Sequence, residues 1–239
     1  MQWLGSWVFN LLFYLITVIL SLVVTVFWPL GNYELIQSVG RFWSRLNQGM
    51  LRLFCGISVR IEGAERLPEA PYVIMSKHQS AWETVAYPSI FPTFAWVLKK
   101  SLLNIPIFGW VLKALRAIAI DRSLGIEALK QVRREGAERL GDGICVVVFP
   151  EGTRVAPGEV GEYNPSGVLV ALESGVPIVP VAHNAGRFWR RKAFIKSPGE
   201  IRLKIGEPIS TAGMKPSARK KLLAEVKASI EGMMAEIEG

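Results

Sequence analysis

Apolar positions in the first third of the chain fall into two patterns with a break between them. No charged residue precedes Glu34, and residues 4–28 are mostly apolar. As a helix that run would be about 37 Å long, against a hydrocarbon core of about 30 Å. Trp3, Trp7 and Trp28 stand near its ends, where aromatic rings suit a membrane interface. The run lacks the basic start and small-residue cleavage site of a signal peptide. Pro29-Leu30-Gly31-Asn32 then breaks the helix. In residues 33–55, Leu35, Ile36, Val39, Phe42, Trp43, Leu46, Met50, Leu53 and Phe54 recur at helical spacing, with Arg41, Arg45, Asn47, Gln48 and Arg52 between them. That is a basic amphipathic helix with aromatic residues on its apolar face, the pattern of an interfacial helix.

From Ile57 onward the pattern changes to short apolar runs at residues 58–62, 72–75, 94–98, 117–120, 144–149, 178–182 and 201–205. Helical periodicity fills several gaps, most clearly at residues 123–140. A last amphipathic helix covers residues 217–237. Strands alternating with helices predict an α/β domain: a mixed, largely parallel sheet flanked by helices. The expected organisation is an N-terminal membrane-associated two-helix segment, residues 1–56, followed by an α/β domain, residues 57–239. Pro177 and Pro180 lie in one strand-like run, which predicts an edge strand or a shaped strand end.

Charge and cysteine content narrow the picture. The net charge is +8, so nucleic acid, an anionic membrane surface or an anionic substrate are the natural partners. No aromatic-basic nucleic-acid motif appears, which argues against the first. Cys55 and Cys145 are isolated, and with only two histidines the spacing suggests neither a disulfide framework nor a zinc site. A reducing compartment fits. The Gly-x-Ser-x-Gly, Gly-x4-Gly-Lys-Ser/Thr and His-Glu-x-x-His patterns are missing.

Four stretches could carry chemistry. The first is Ser76-Lys77-His78-Gln79-Ser80-Ala81-Trp82-Glu83-Thr84, between a strand and a helix start, where α/β proteins tend to bind ligands. Five positions on a continuous helix lie about 140° apart, so His78 and Glu83 can meet only if His78 sits in the turn and Glu83 in the first helical turn. The second runs from Lys99-Lys100 through Pro106 and Gly109 to Asp121-Arg122. The third is Phe149-Pro150-Glu151-Gly152-Thr153-Arg154, where an arginine fork suits a phosphate and glycine permits close backbone approach. The fourth is Val176-Pro177-Ile178-Val179-Pro180-Val181.

Together these stretches resemble the glycerolipid acyltransferases, and most closely the bacterial 1-acyl-sn-glycerol-3-phosphate acyltransferases. His78 and Glu83 match a His-x4-Asp motif, with glutamate in place of aspartate. Lys100, Leu102, Pro106, Gly109, Asp121 and Arg122 match the second motif, and residues 149–154 match Phe-Pro-Glu-Gly-Thr-Arg throughout. An aromatic-lysine pair frequent after the third motif is replaced here by Tyr163-Asn164-Pro165. The resemblance spans about residues 57–210. It implies acyl transfer from an acyl thioester, acyl-CoA or acyl-ACP, to the sn-2 hydroxyl of lysophosphatidic acid, giving phosphatidic acid. No cofactor beyond that co-substrate is implied. It further implies that His78 and Glu83 act as a general-base pair, and that Lys100, Arg122, Glu151, Gly152, Thr153 and Arg154 contact substrate. The expected partners are lysophosphatidic acid, the thioester donor and a lipid bilayer, with the catalytic domain on the cytoplasmic face of the inner membrane. His183 reads as structural. Arg187, Arg190, Arg191, Lys192 and Lys196 read as a basic face for anionic headgroups, an acidic carrier or the coenzyme's phosphates. Another lysophospholipid or amino-lipid acceptor, and a non-enzymatic membrane lipid-binding protein, are the alternative readings.

Overall fold

The structure is a computed structural model that describes residues 2–238. Two long helices come first, α1 (Gln2–Phe27) and α2 (Tyr33–Cys55). A single 3-10 turn, Trp28–Leu30, separates them. Gly31 takes a left-handed conformation (φ 68°), and the Asn32 side chain accepts the Leu35 N–H at 3.0 Å to cap α2. By length and composition α1 is able to cross a membrane.

The strands are β1 (Ile57–Glu62), β2 (Val73–Ser76), β3 (Phe94–Lys99), β4 (Ile118–Ile120), β5 (Cys145–Val148), β6 (Ile178–His183) and β7 (Gly199–Ile205). They form one sheet in the order β1-β7-β6-β2-β5-β3-β4. All neighbouring pairs are parallel except β6 with β7. The helices between them are α3 (Trp82–Ile90), α4 (Phe108–Ala114), α5 (Ile126–Gly141) and α6 (Ser166–Ser174), and α7 (Arg219–Glu238) follows the sheet. Both faces of the sheet are covered, as a parallel sheet requires. Side-chain alternation divides the core in two: Ile74, Val147 and Val179 point to the side of α1 to α4, and Val73, Val146 and Ile178 to the side of α5, α6 and α7.

Two readings of the sequence change here. The strand holding Pro177 and Pro180 is no edge, because β6 lies between β7 and β2. Pro180 is tolerated because β7 pairs with β6 only from Val181 onward. Its carbonyl still accepts the Gly206 N–H at 2.9 Å. A Cβ on Gly206 would stand 2.9 Å from the Pro180 ring, so glycine makes room for it. Helix α2, expected at an interface, also enters the core. Met50 and Leu51 are buried there, and Ser44 and Gln48 bond Ser89 of α3 at 2.8 and 2.7 Å, while Leu35, Phe42 and Leu53 stay exposed.

Helix α1 is docked rather than free. Phe9 is fully buried in the core. Trp43 of α2 donates to Thr17 Oγ1 at 2.9 Å, and Ser6 Oγ accepts the Lys196 N–H at 3.0 Å. The buried Lys196 ammonium bonds Asn10 Oδ1 and the Phe194 carbonyl and lies 4.6 Å from the Trp189 ring centre. Leu4, Trp7, Leu11, Leu15, Ile19 and Leu22 form the outward stripe of α1.

Candidate active site

Strands β2, β5, β3 and β4 run parallel as neighbours, so their C-terminal loops gather along one edge of the sheet. His78 follows β2, Lys99 ends β3, Arg122 follows β4 and residues 149–154 follow β5. The four motif-bearing loops after β2, β3, β4 and β5 therefore face one space.

The His78–Glu83 spacing is resolved as the helical geometry requires. His78 lies in the turn and Glu83 in the first turn of α3, with His78 Nδ1 3.6 Å from Glu83 Oε1. Glu83 is fully buried, and the same Oε1 accepts the backbone N–H groups of Gln79 and Ser80 at 2.7 and 2.8 Å. Burial by itself raises a carboxyl pKa. Here the contact with His183, followed by the nearness of His78, outweighs burial and holds Glu83 well below the usual carboxylate range. The His78 ring stacks on Phe149 with centres 3.9 Å apart, which fixes its plane.

A cavity of about 790 Å³ opens in front of His78. One part of its wall is apolar, with Trp96, Leu98, Leu102, Phe108, Leu129 and Phe149. Another part carries the cations Lys99, Arg122, Arg154 and Arg191. Among the described residues no aspartate or glutamate lines it. The Nε of Arg154 is buried without a protein acceptor. Arg122 donates to the Gly152 carbonyl, tying the loop after β4 to the loop after β5. Asp121 accepts from Ser123 N and Oγ at 3.0 and 2.6 Å, shaping the turn that presents Arg122; those bonds lower its pKa. A narrower apolar groove among α1, α2 and α4 shares Thr84, Trp96, Phe108 and Leu112 with the main cavity.

Of the residues singled out in the sequence, His78, Arg122, Gly152, Thr153 and Arg154 line the cavity. Glu83 stands directly behind His78. Lys100 is exposed in a 3-10 turn, and its neighbour Lys99 is the lysine on the wall. The Glu151 side chain is buried: it pairs with Lys77 Nζ at 2.8 Å and accepts the His78 N–H at 2.8 Å. Gly152 adopts φ 67°, which glycine accepts without strain. Gly109, from the second motif, would place a Cβ 2.1 Å from the Leu103 carbonyl oxygen, so only glycine fits where α4 begins. Arg191, which the sequence gives to a basic segment for headgroups, a carrier or coenzyme phosphates, also lines the cavity. No local pattern marks it as a cavity residue, because the loop after β6 returns to the site only through the fold.

Residues 58–184 match the acyltransferase family model. A 1-acyl-sn-glycerol-3-phosphate acyltransferase from Pseudomonas aeruginosa is 42% identical over 195 residues, covering 82% of this chain and 76% of that protein. The 1-acyl-sn-glycerol-3-phosphate acyltransferase of Saccharomyces cerevisiae is 27% identical over 192 residues, covering 79% of this chain and 63% of that protein. The crystal structure of the 1-acyl-sn-glycerophosphate (LPA) acyltransferase from Thermotoga maritima has the same fold, with a TM-score of 0.81 at 23% identity, covering 100% of this chain and 98% of that one. The four stretches, the meeting of the first three at one edge of the sheet and these likenesses lead to one assignment: the chain belongs to the glycerolipid acyltransferase family, of the kind represented by bacterial 1-acyl-sn-glycerol-3-phosphate acyltransferases.

Proposed function

We propose that this acyltransferase moves a fatty acyl group from acyl-CoA or acyl-ACP to the sn-2 hydroxyl of lysophosphatidic acid. The observation that carries the reading is the cavity itself, which joins a carboxylate-backed histidine to four cations and an apolar wall, with no acidic lining among the described residues. An anionic amphiphile with a free hydroxyl is the complement of such a space. The relative in Pseudomonas aeruginosa carries the matching name.

The chemistry balances with the residues present. The acceptor oxygen attacks the thioester carbonyl carbon, a C–O bond forms and the C–S bond breaks. The hydroxyl proton goes to His78 Nε2 and from there to the departing thiolate. Glu83 faces Nδ1, holds the ring's tautomer and offsets the charge that develops on it. Arg154, with Arg122 and Lys99, holds the phosphate. Glu151 serves from behind, fixing the His78 backbone through its own buried pair with Lys77. The arginines of α2 follow the apolar α1, which supports a cytoplasmic position of the catalytic residues at the inner membrane.

The test is a transfer assay with purified protein, labelled lysophosphatidic acid and each thioester donor, with the acylated position identified in the product. Phosphatidic acid newly acylated at sn-2 is expected. Acylation of other lysophospholipids but not of lysophosphatidic acid, with either donor, would overturn the acceptor assignment.

A further inference from the structure

The second histidine is as close to the carboxylate as the first. His183 ends β6, is fully buried, and places Nε2 3.1 Å from Glu83 Oε1, the oxygen that faces His78. Nε2 also stands 3.0 Å from the Lys77 carbonyl oxygen. Nδ1 accepts the Ala185 N–H at 3.2 Å, so the ring proton sits on Nε2, bonded to the Lys77 carbonyl and in close contact with Glu83 Oε1. The Trp82 ring packs 5.6 Å from the imidazole. With no exposed surface, His183 touches neither substrate nor the reacting atoms.

We propose that His183 is a positioning residue for acyl transfer: its Nε2–H, with the N–H groups of Gln79 and Ser80, anchors Glu83 so that Oε1 remains aimed at His78 Nδ1. The proposal rests on reading His78 and Glu83 as the proton-transfer pair. Other titratable groups around Glu83 do not substitute for it. Tyr87, on α3, is kept protonated by burial and then by the Glu83 charge, and its hydroxyl pairs with Ser76 Oγ at 2.5 Å. Lys77 turns its ammonium away to Glu151 and Glu231. A glutamate side chain has one more rotatable bond than aspartate, so the anchor removes freedom that the longer side chain brings.

Two isosteric replacements separate this role from a merely structural one. The His183→Asn amide reaches the Nδ1 position, so it keeps the bond from Ala185 and loses the donor to Glu83. The His183→Gln amide reaches the Nε2 position and keeps that donor. In full-length protein acting on lysophosphatidic acid, His183→Asn is expected to lower kcat on the order of 10–100-fold with KM little changed, as for a small misplacement of a catalytic group. His183→Gln should recover most of that loss, at a melting temperature like that of His183→Asn. Wild-type kcat in His183→Asn, or equal defects in the two variants, would overturn the proposal. If Glu83→Gln itself kept wild-type kcat, the proton-transfer pair would fall instead, which separates the two failures. With only two histidines in the chain, ring-nitrogen NMR at pH 7.5 gives a second readout. The Nε2–H form is expected for His183, and the Nδ1–H form would overturn the proposal.

Discussion

Lys77 Nζ stands 2.8 Å from Glu151 Oε1, and both side chains are buried. The pair joins the loop after β2 to the loop after β5, so the proposed base and the arginine-bearing loop are held by one ionic contact. Glu231 of α7 lies 3.0 Å from the same ammonium and also accepts from the Tyr163 hydroxyl at 2.8 Å, which extends the tie to the C-terminal helix. Removing one member leaves an uncompensated buried charge. Lys77→Met should therefore cost about 3–5 kcal/mol of stability, and the Lys77→Met/Glu151→Leu double variant clearly less. Denaturant unfolding in detergent measures both. An equal loss in the single and double variants would show that the pair acts through packing alone.

Arg154 carries the phosphate prediction. Its planar fork suits two phosphate oxygens, which a lysine ammonium cannot match. Arg154→Lys is expected to lose nearly as much kcat/KM as Arg154→Ala, about 2–4 kcal/mol, as when one partner of a buried charge pair is truncated. The defect should shrink with an acceptor lacking the phosphomonoester. Wild-type kinetics for Arg154→Lys on lysophosphatidic acid would remove the role.

Glu83 offers a graded test. Loss of the base in His78→Ala should lower kcat by about 10²–10⁴-fold. Glu83→Gln keeps the shape and loses the charge, so a large fall in kcat is expected. Glu83→Asp withdraws the carboxylate from the Gln79 and Ser80 N–H groups that it now bonds, and a defect smaller than that of Gln should result. Kinetics from pH 6 to 9 decide the matter, and a flat wild-type profile for Glu83→Gln would exclude the pair.

Lys196 gives a stability prediction with a definite sign. Burial pushes its pKa down to about 8, from the ordinary lysine value of 10.5. Between those values the unfolded chain binds more protons than the folded one, so this group's contribution to stability rises as pH increases from about 8 towards 10.5. Subtracting the curve for Lys196→Met from that of the parent should show this slope. A difference that is level over pH 7.5–10 would refute it.

Membrane attachment can be tested without removing α1, whose Phe9 and Ser6 belong to the folded core. Replacing exposed Leu11, Leu15 and Ile19 by glutamine should move protein from the membrane to the soluble fraction while melting in detergent stays near the parent value. Unchanged partition would rule out this stripe as the lipid contact.

Much of the architecture was legible in local patterns, and the reasons are visible in particular residues. The strands of the sheet centre are runs such as Cys145–Val148, buried on both faces and bounded by turn residues. Helix α2 matches its expected bounds because Asn32 caps it and Gly56 ends it. Pro177 and Pro180 leave an edge strand and a shaped strand end equally open in the sequence, because the proline rule concerns a missing N–H, and only the neighbouring strand shows whether that N–H is needed. His78 and Glu83 are close in sequence, so helical geometry alone could bring them together. His183, Arg191 and the Lys77–Glu151 pair reach the site across long sequence separations, and no spacing rule announces them.

The same long separations set an order of assembly during synthesis. Ser6 bonds the backbone of Lys196, and β1 pairs only with β7. Neither the bond of α1 to Lys196 nor the full pairing of the first strand can form until the ribosome has passed residue 205. Until then α1 has only α2 and α4 beside it, while β2 to β5 can already pair among themselves. The first segment made is thus among the last to be locked in place, and the closing steps join the two ends of the chain's fold at once.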